Sequence, residues 1–407
     1  MLLLLLQTAW RNLWRNKRRS WLTIGAIAFA LTLALFQRGV QIGTYELNIS
    51  SVTNYLTGHL QIQHREYRET PTLRKSFVFT DSLQHMLRSI PAIRAAVPRI
   101  IAGGLISDRQ HTFGVMIWGV DPALEQQATT LPEKVKSGRW IARPGEAIVG
   151  ITLLKNLRLA IGDSAILLAP GYDGFLGDMY VRIVGTFQTG SQELDRTGII
   201  LHRSDADFLL NLHGRITHLL LLVDAFDDID PVKHQLQQQL PDPLTVLRWD
   251  DIVPAMKQLI ELDNISGILF LTILLVVVGF GILNTLLMAI SERFREFGVL
   301  LAIGMPNSLL ALMVFFETVW MIALGVCIGA IAGNLLVAYF AAYPVTFTGE
   351  LAAIYREFGF LPQMTATMKW SLFLQTLTLL LGISIIAAVY PIIKTVRLEP
   401  LKGIRYT

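Results

Sequence analysis

Four charged side chains stand ahead of an apolar helical face in the segment 292–304, which reads Glu-Arg-Phe-Arg-Glu-Phe-Gly-Val-Leu-Leu-Ala-Ile-Gly. Two membrane helices need only a short polar turn between them, so this much charge is suited to ion pairs with another protein. We expect four side chains to reach water: Glu292, Arg293, Arg295 and Glu296. The apolar set should face lipid or protein: Phe294, Phe297, Val299, Leu300 and Ile303. The alternative is a helix that only rests on lipid headgroups.

Glu317 is a carboxylate within a long apolar segment. Such a residue is costly in a membrane unless it is paired, protonated or near water. One interpretation is a gating or coupling role. The other is that a helix beginning near Asn307 still lies at headgroup depth here, roughly 15 Å along its axis.

Patterns for catalysis, nucleotides and metals are absent from the sequence. It contains no Gly-x-x-x-x-Gly-Lys-Ser/Thr segment to bind nucleotide phosphates. His59 and His64 fall on opposite faces of a predicted strand, and His213 and His218 flank a turn without a nearby cysteine. The polar segment 190–196 is interpreted as a structural loop, with a binding loop as the alternative. We predict no catalytic, cofactor-binding or metal-binding residue, so any ATP chemistry belongs to another subunit.

The chain is too apolar for an ordinary soluble protein, because only 16% of its residues are charged, against roughly 25% usually. Four uncharged segments are long enough to cross a bilayer, at 20–37, 265–290, 318–349 and 370–393. We therefore assign an amino-terminal interfacial helix and the first span to 1–42. The remaining spans are predicted at 263–290, 307–342 and 369–394, and Gly325, Gly329 and Gly333 in the third should allow close helix packing.

Basic residues beside the spans predict the orientation of the chain. The first span follows Arg11, Arg15, Lys17, Arg18 and Arg19, and the chain ends with Lys394, Arg397, Lys402 and Arg405. This places both termini in the cytoplasm. Residues 291–306 then form a cytoplasmic coupling helix and 395–407 a cytoplasmic tail. The leucine run at 2–6 precedes the basic cluster and so is not a secretory signal peptide.

Residues 43–262 have the composition of a soluble domain and must lie outside the cytoplasm. All eight histidines fall within them, and the only cysteine, Cys327, lies in the third span, so this domain has no internal disulfide. Alternating patterns predict strands at 59–64, 97–106, 113–120, 146–149, 165–168, 180–187, 217–223 and 244–248, with helices at 81–89, 152–157 and 228–240. We expect two lobes, and a helix at 247–263 that continues into the second span. Residues 343–368 are a shorter extracytoplasmic loop.

The predicted fold is an α+β membrane protein: four transmembrane helices with a large mixed α/β extracytoplasmic domain between helices 1 and 2. Three motifs carry a family resemblance. Glu-Arg-x-Arg-Glu-Phe-Gly-Val-Leu-x-Ala-Ile-Gly at 292–304 resembles the coupling helix of the MacB/FtsX/LolE group of ABC transporter permeases. The ending from Tyr390-Pro391 through Leu398, Pro400 and Ile404-Arg405 resembles the group's carboxyl terminus, and 11–19 resembles its amino-terminal elbow. The layout of one helix, a large exported domain and three further helices is also the group's.

Within the group, three segments are most similar to LolC/LolE-type lipoprotein-releasing permeases: 57–62, 190–195 and Trp249-Asp250. The first helix lacks much of the sequence typical of that pair, so a relative with another cargo is the alternative. The resemblance implies ATPase-coupling residues, listed here by number: Glu292, Arg293, Arg295, Glu296, Phe297, Gly298 and Gly304. Glu317 is the candidate gating residue.

The resemblance also implies the partners. They are a dimer of separately encoded ATPase subunits that bind ATP and Mg, a second permease in a homodimer or heterodimer, membrane lipids, and a lipoprotein cargo or periplasmic protein, but no nucleic acid. The non-catalytic permease would lie in the bacterial inner membrane, its large domain in the periplasm, and release lipoproteins by mechanotransmission. The alternatives are a MacB-like efflux permease and an FtsX-like regulator of cell-wall hydrolases. Apolar walls, with no polar row to line an ion pore, favour extraction of an acyl-anchored cargo over conduction.

Overall fold

The computed structural model describes residues 2–108, 110–357 and 360–396, and the chain divides into two compact units. The helical unit comprises Met1–Tyr45, Leu259–Thr346 and Gln363–Thr407. The sheet unit comprises Glu46–Gln258 and Phe347–Pro362.

The helices of the described residues are, in chain order, α1 Leu2–Arg15, α2 Lys17–Val52, α3 Asp81–Arg88, α4 Pro122–Ala128, α5 Ile151–Leu157, α6 Gln192–Thr197, α7 Arg203–Leu210, α8 Ile229–Gln239, α9 Trp249–Ile252, α10 Pro254–Glu292, α11 Phe294–Ala302, α12 Asn307–Ala342, α13 Gly349–Glu357 and α14 Trp370–Val396. A π-helical turn, Thr53–Thr57, follows α2.

The strands are β1 Leu60–His64, β2 Phe77–Val78, β3 Ile93–Ser107, β4 Thr112–Val120, β5 Val135–Gly138, β6 Glu146–Gly150, β7 Ser164–Pro170, β8 Leu176–Phe187, β9 Gly198–His202, β10 Arg215–Ile216, β11 His218–Val223, β12 Leu244–Arg248, β13 Val345–Thr346 and β14 Gln363–Met364.

Four helical segments of the described residues are long and apolar enough to cross a membrane: Lys17–Thr57, Pro254–Glu292, Asn307–Ala342 and Trp370–Thr395. The prediction of four transmembrane helices, with a β-rich domain between the first two, is confirmed. The helix that precedes the second span begins at Pro254 and continues without a break to Glu292.

The core of the helical unit is built from side chains repeating every three or four residues, which is the spacing of one helix face. On α2 these are Ile24, Ile27, Leu31 and Leu35, and on α10 they are Leu271, Leu275, Val278, Ile282 and Leu286. Met321 and Ile322 of α12 and Leu380 and Ala388 of α14 complete the same cluster. Its contacts are those of an ordinary apolar core, so the four helices pack as a bundle.

The glycines of α12 lie against α2, as their spacing predicts. A Cβ atom on Gly325 would stand 2.7 Å from the Cβ of Ile27, and one on Gly329 would stand 2.6 Å from the carbonyl oxygen of Ala28. Gly333 faces Leu35 in the same way. The hydroxyl of Thr32 donates to the carbonyl of Gly329 at 3.3 Å. The helices α2 and α12 approach closely because glycine has no side chain to separate them.

Polar side chains join α2 to α10 beyond the apolar core. Arg38 donates to Asn264 Oδ1 at 2.9 Å and to Gln41 Oε1 at 2.6 Å. Gln41 in turn donates to the carbonyl of Asp263 at 2.8 Å, and the Tyr45 hydroxyl donates to the Asp263 carboxylate. The two helices are therefore held together at the end of their apolar contact as well as along it.

One hydrogen-bonded sheet organises the sheet unit, in the order β12-β1-β11-β3-β4-β9-β6-β8-β5, with β7 paired to β3 and β8. The long strand β3 has a double role: its first half pairs with β11 and its second half with β4. The strands predicted at 59–64, 97–106, 113–120, 180–187 and 217–223 are confirmed within a few residues. Because β3 is common to both groups of strands, the division into two lobes stays a prediction.

The segment 343–368, expected to be a loop, contains secondary structure of its own. β13 pairs with β14, and α13 lies between them. Residues Phe347–Pro362 belong to the sheet unit, where the backbone N–H of Leu361 donates to the side chain of Asn48 at 2.7 Å. Short strands and a nine-residue helix carry too little periodicity to stand out in the sequence.

A buried ion pair fixes the end of the first long helix to the sheet. Arg99 of β3 and Glu125 of α4 are both fully buried, and they form two hydrogen bonds of 2.7 and 2.9 Å. The third guanidinium nitrogen donates to the carbonyl of Leu56 at 2.9 Å, within the π-helical turn. The Arg99 guanidinium also lies 5.3 Å from the centre of the Trp118 ring. A buried charge pair of this kind is tolerated because each charge is hydrogen-bonded.

We expect the sheet unit to lose stability as the pH falls from about 6.5 towards 4. Burial, and then the positive charge of Arg94, lower the pKa of His59 to about 4, and its Nδ1 accepts the Val223 N–H at 3.0 Å. Burial lowers the pKa of His218 to about 3. The unfolded chain therefore takes up protons first, near pH 6.5. Protonation of His59 in the unfolded chain lowers the free energy of unfolding by on the order of 3 kcal/mol at pH 4.

The measurement is hydrogen exchange of the β11 amides at pH 7 and 4.5, corrected for the intrinsic pH dependence of exchange. His59→Gln should make the loss of protection shallower, because an amide oxygen can accept the same N–H without titrating. His85→Gln, at an exposed position, is the control and should leave the loss unchanged. Equal losses in both variants would contradict the assignment to His59.

Candidate functional site

The turn between α10 and α12 is built by two departures from helical geometry. At Arg293 the backbone leaves the helix, with φ −106° and ψ 11°, and α11 then begins at Phe294. Gly304 closes α11 with φ +102°, a left-handed conformation that favours glycine. Pro306 accepts the first hydrogen bond of α12, from the backbone N–H of Leu309 at 3.0 Å. Gly304 is therefore required by the turn itself.

Phe297 anchors α11 to the helical unit, with 1% of its surface exposed. It belongs to an apolar cluster whose members come from four helices: Leu5, Ile290, Leu301, Leu310, Met313 and Val314. Gly298 is buried beside it. One face of α11 is thus committed to packing within the chain, as the sequence predicted for Phe297.

Glu317 is buried and paired with two arginines. The Nη1 of Arg293 donates to Glu317 Oε2 at 2.8 Å, and Arg19 Nη2 lies 3.7 Å from Oε1. The side chains of Arg19 and Glu317 are 11% and 6% exposed. The carboxylate that is costly inside an apolar segment is therefore neutralised by pairing, and it joins α12 both to the turn and to the start of α2.

A second, more exposed layer of ion pairs links the turn to the amino-terminal segment. Arg15 donates to both oxygens of Glu296 at 2.7 Å, and Arg19 donates to Glu292 at 2.8 Å. Asn16 contacts Glu292 at 3.4 Å. The Arg15 guanidinium is the main cause that holds the pKa of Glu296 below its usual range. Exposed pairs contribute little to stability individually, but the Nη2 of Arg15, which contacts both oxygens of Glu296, helps to orient α11.

The prediction that Arg293 reaches water is wrong. Arg293 is 8% exposed, because its guanidinium contacts Glu317 and Glu296 and lies 5.0 Å from the centre of the Phe297 ring. Glu292, Arg295 and Glu296 are exposed as expected.

Arg295, Val299 and Ala302 of α11 form an exposed face together with Ile303, which follows the helix. These residues are spaced like one side of a helix. Val299 is 46% exposed and Ile303 is 80% exposed. An apolar surface of this kind beside a single cation, Arg295, is suited to contact a partner protein.

Sequence reasoning missed the contribution of the amino-terminal segment to this site. Arg15, Asn16 and Arg19 come from 11–19, which was interpreted for topology and for its resemblance to an elbow. The basic run was the available signal, because three acids, Glu292, Glu296 and Glu317, needed partners. Of the carboxyl-terminal motif, Leu398, Pro400, Ile404 and Arg405 lie outside the described residues.

The other segments singled out in the sequence have structural contacts. Ser191 caps α6, and Asp195 accepts the backbone N–H of Thr189 at 2.7 Å. Asp250 pairs with Arg248 and Lys257 beside the buried Trp249. Among the described residues, no group of three His, Cys, Asp or Glu side chains is arranged to hold a metal ion.

Comparisons with known proteins identify the carboxyl-terminal part. Residues 268–400, which include the turn, match the family of FtsX-like permease C-terminal domains. The lipoprotein-releasing system transmembrane protein LolC of Neisseria meningitidis is 21% identical over 407 residues, with 96% of each chain covered. LolE of Haemophilus influenzae, the corresponding transmembrane protein, is 20% identical over 388 residues and 92% of each chain.

A third relative has a different stated role. The macrolide export ATP-binding/permease protein MacB of Pasteurella multocida is 23% identical over 272 residues, covering 63% of this chain and 40% of that protein. Together these similarities confirm the predicted resemblance to the MacB/FtsX/LolE group.

Removing Glu317 alone should destabilise the helical unit more than removing Glu317 and Arg293 together, because Arg19 keeps its ion pair with Glu292. Glu317→Gln leaves Arg293 buried without its carboxylate, which costs about 3 kcal/mol. The double variant Glu317→Met with Arg293→Met removes both charges and should lose less stability than either single methionine variant. Reversible unfolding in mixed micelles, followed by helical circular dichroism, gives the comparison. Additive losses in the double variant would show that the two side chains are not coupled.

Proposed function

We propose that this chain, an ABC transporter permease of the LolC/LolE/MacB family, docks an ATPase on the exposed face of α11 and converts its stroke into release of lipoproteins from the membrane. The observation that carries the proposal is that one face of α11 is packed within the chain and the opposite face is exposed. One face of α11 is fixed inside the chain by Phe297 and the Glu317 ion pairs. The opposite face leaves Arg295, Val299 and Ile303 exposed.

Transmission of a force needs a turn that moves together with its neighbouring helices. The ion pairs of Glu317, Glu292 and Glu296 connect the turn to the end of α1, the start of α2 and α12. α10 then runs without interruption for 39 residues, roughly 58 Å at the rise of an α-helix. A push on α11 would therefore be carried along α10 rather than absorbed by bending at the turn.

The proposed topology places both termini and α11 in the cytoplasm and the sheet unit in the periplasm, with the bundle in the bacterial inner membrane. Its support is the basic residues that precede α2 and follow α14. The ATPase, with its ATP and Mg, is a separate subunit in this proposal. The relative named as a combined ATP-binding and permease protein is covered for only 40% of its length, whereas LolC is covered for 96%.

Lipoprotein is the proposed cargo, and a dimer with a second permease the proposed assembly. The similarity to LolC and LolE along nearly the whole chain supports this choice. α10 also presents apolar side chains outward, listed here: Ile265, Ile268, Leu269, Phe270, Ile273, Val276, Val277 and Phe280. Drawing acyl chains from a bilayer costs about 0.8 kcal/mol per methylene, so ATP hydrolysis by a partner would drive it. Efflux of a small molecule is the second candidate, favoured by the similarity to MacB.

Ile303→Asp should release the ATPase, since it places a charge in an apolar contact face. We expect at least tenfold less ATPase to co-purify, or about 1.4 kcal/mol of binding. Arg295→Glu should act in the same direction. Arg18→Glu, an exposed charge reversal in α2 on the same predicted side of the membrane, is the matched control. Unchanged co-purification and ATP hydrolysis in both α11 variants would remove α11 as the docking element.

Cargo can be identified separately, by photo-crosslinking in cells from three exposed positions of the sheet unit, Phe175, Gln192 and Phe208. Acylated lipoproteins are the expected adducts in mass spectrometry. A periplasmic adaptor as the dominant adduct would move the function to efflux. A cell-wall hydrolase as the dominant adduct would move it to mechanical regulation.

A further inference from the structure

A cleft on the sheet unit collects arginines from four separate segments of the chain. The cleft has a volume of about 910 Å³ and is lined by α3, the first half of β3, the start of α7 and the residues before β11. Its cationic side chains are Arg88, Arg94, Arg203 and Arg215, and His202 lies beside them. These residues are distant in sequence, so only the fold brings them together.

The hydrogen bonds that Asp121 and Asp207 of the cleft accept come from backbone N–H groups and not from these arginines. Asp121 accepts two backbone N–H groups at the start of α4, from Ala123 and Leu124, both at 3.2 Å. Asp207 accepts the backbone N–H of Gly214 at 2.8 Å. Both carboxylates are therefore engaged in holding local backbone geometry.

Three of the four arginines have no carboxylate partner among the described residues. Within the part of the chain that the structure describes, the side chains of Arg88, Arg94 and Arg203 make no ion pair. Arg215 donates to the carbonyl of Ser76 at 3.3 Å and lies 5.2 Å from the centre of the Tyr172 ring. The positive charges of these arginines repel one another. A concave surface that carries them raises the local concentration of anions.

We propose that this cleft binds a phosphate group. The guanidinium fork matches the oxygens of a phosphate and donates two hydrogen bonds at once. The positive end of α7, which starts at Arg203 within the cleft, adds to the attraction. The volume is that of a small-ligand site, which favours a phosphorylated small molecule or a lipid headgroup over a flat protein interface. The site is independent of the ATPase-docking function proposed for α11.

The test measures binding to the purified full chain in neutral detergent at low salt. Inorganic phosphate and a short-chain phosphatidylglycerol are titrated separately, by calorimetry and by the shift in unfolding temperature. The variant is Arg94→Gln with Arg203→Gln. The matched control is Arg68→Gln, an exposed arginine of the same unit that does not line the cleft.

We expect at least tenfold weaker binding in the double variant, no change in the control, and affinity that falls as salt is added. Saturation by inorganic phosphate would identify a free phosphate compound as the source, and binding of phosphatidylglycerol alone would identify a lipid headgroup. Either result supports the site.

Three results would overturn the proposal: no binding of either probe, equal loss in the control, or tighter binding of a glutamate peptide than of phosphate. If the double variant fails to fold, Arg94→Lys keeps the charge and removes the fork. It should weaken phosphate binding severalfold, and unchanged binding in that variant would also overturn the proposal.

Discussion

The helical unit depends on the neutralisation of one buried carboxylate, Glu317. A lone charge at this position would carry a large desolvation cost, so the arrangement of the surrounding segments must supply partners. Arg293 comes from the break between α10 and α11, and Arg19 from the start of α2. The same requirement that makes Glu317 tolerable therefore ties together three segments that are far apart in sequence. Truncating Glu317 or Arg293 would leave the charge of the other buried without its partner. The ion pair therefore acts as a structural clamp between α12 and the turn.

Because of this clamp, one face of α11 is packed within the chain while the other is exposed. Phe297 and the ion pairs occupy the inner face of α11, so its motion is coupled to α12 and to the start of α2. On the outer face Val299 and Ile303 are 46% and 80% exposed, which leaves them accessible to the partner in the proposed docking. In the sheet unit, Arg99 has a comparable position, because it connects β3, α4 and the turn that ends the first long helix. Two buried arginines, Arg99 and Arg293, thus brace the two units at points where long helices end.

The proposed role as a lipoprotein-releasing permease and the alternative of efflux share this machinery. They differ in what the sheet unit and the outward faces of the helices contact. The similarity to LolC extends over 96% of this chain, whereas the similarity to MacB covers 63% of this chain and 40% of a longer protein named for ATP binding. That difference favours the LolC-like role in the proposal. The arginine cleft adds a chemical feature that neither alternative requires, namely a concentration of positive charge suited to phosphate.

The sequence by itself determined the four spans, most strands of the sheet unit, the glycine face of α12 and the family resemblance of the turn, because these follow from local composition, length and periodicity. It did not determine which charges are buried. Arg293 was expected in water, Glu317 had two interpretations, and the arginines at 88, 94, 203 and 215 showed no pattern. The helix at 349–357 was also missed. Pairing across hundreds of residues, such as Arg19 with Glu317, is set by how helices pack, and only the tertiary structure decides that.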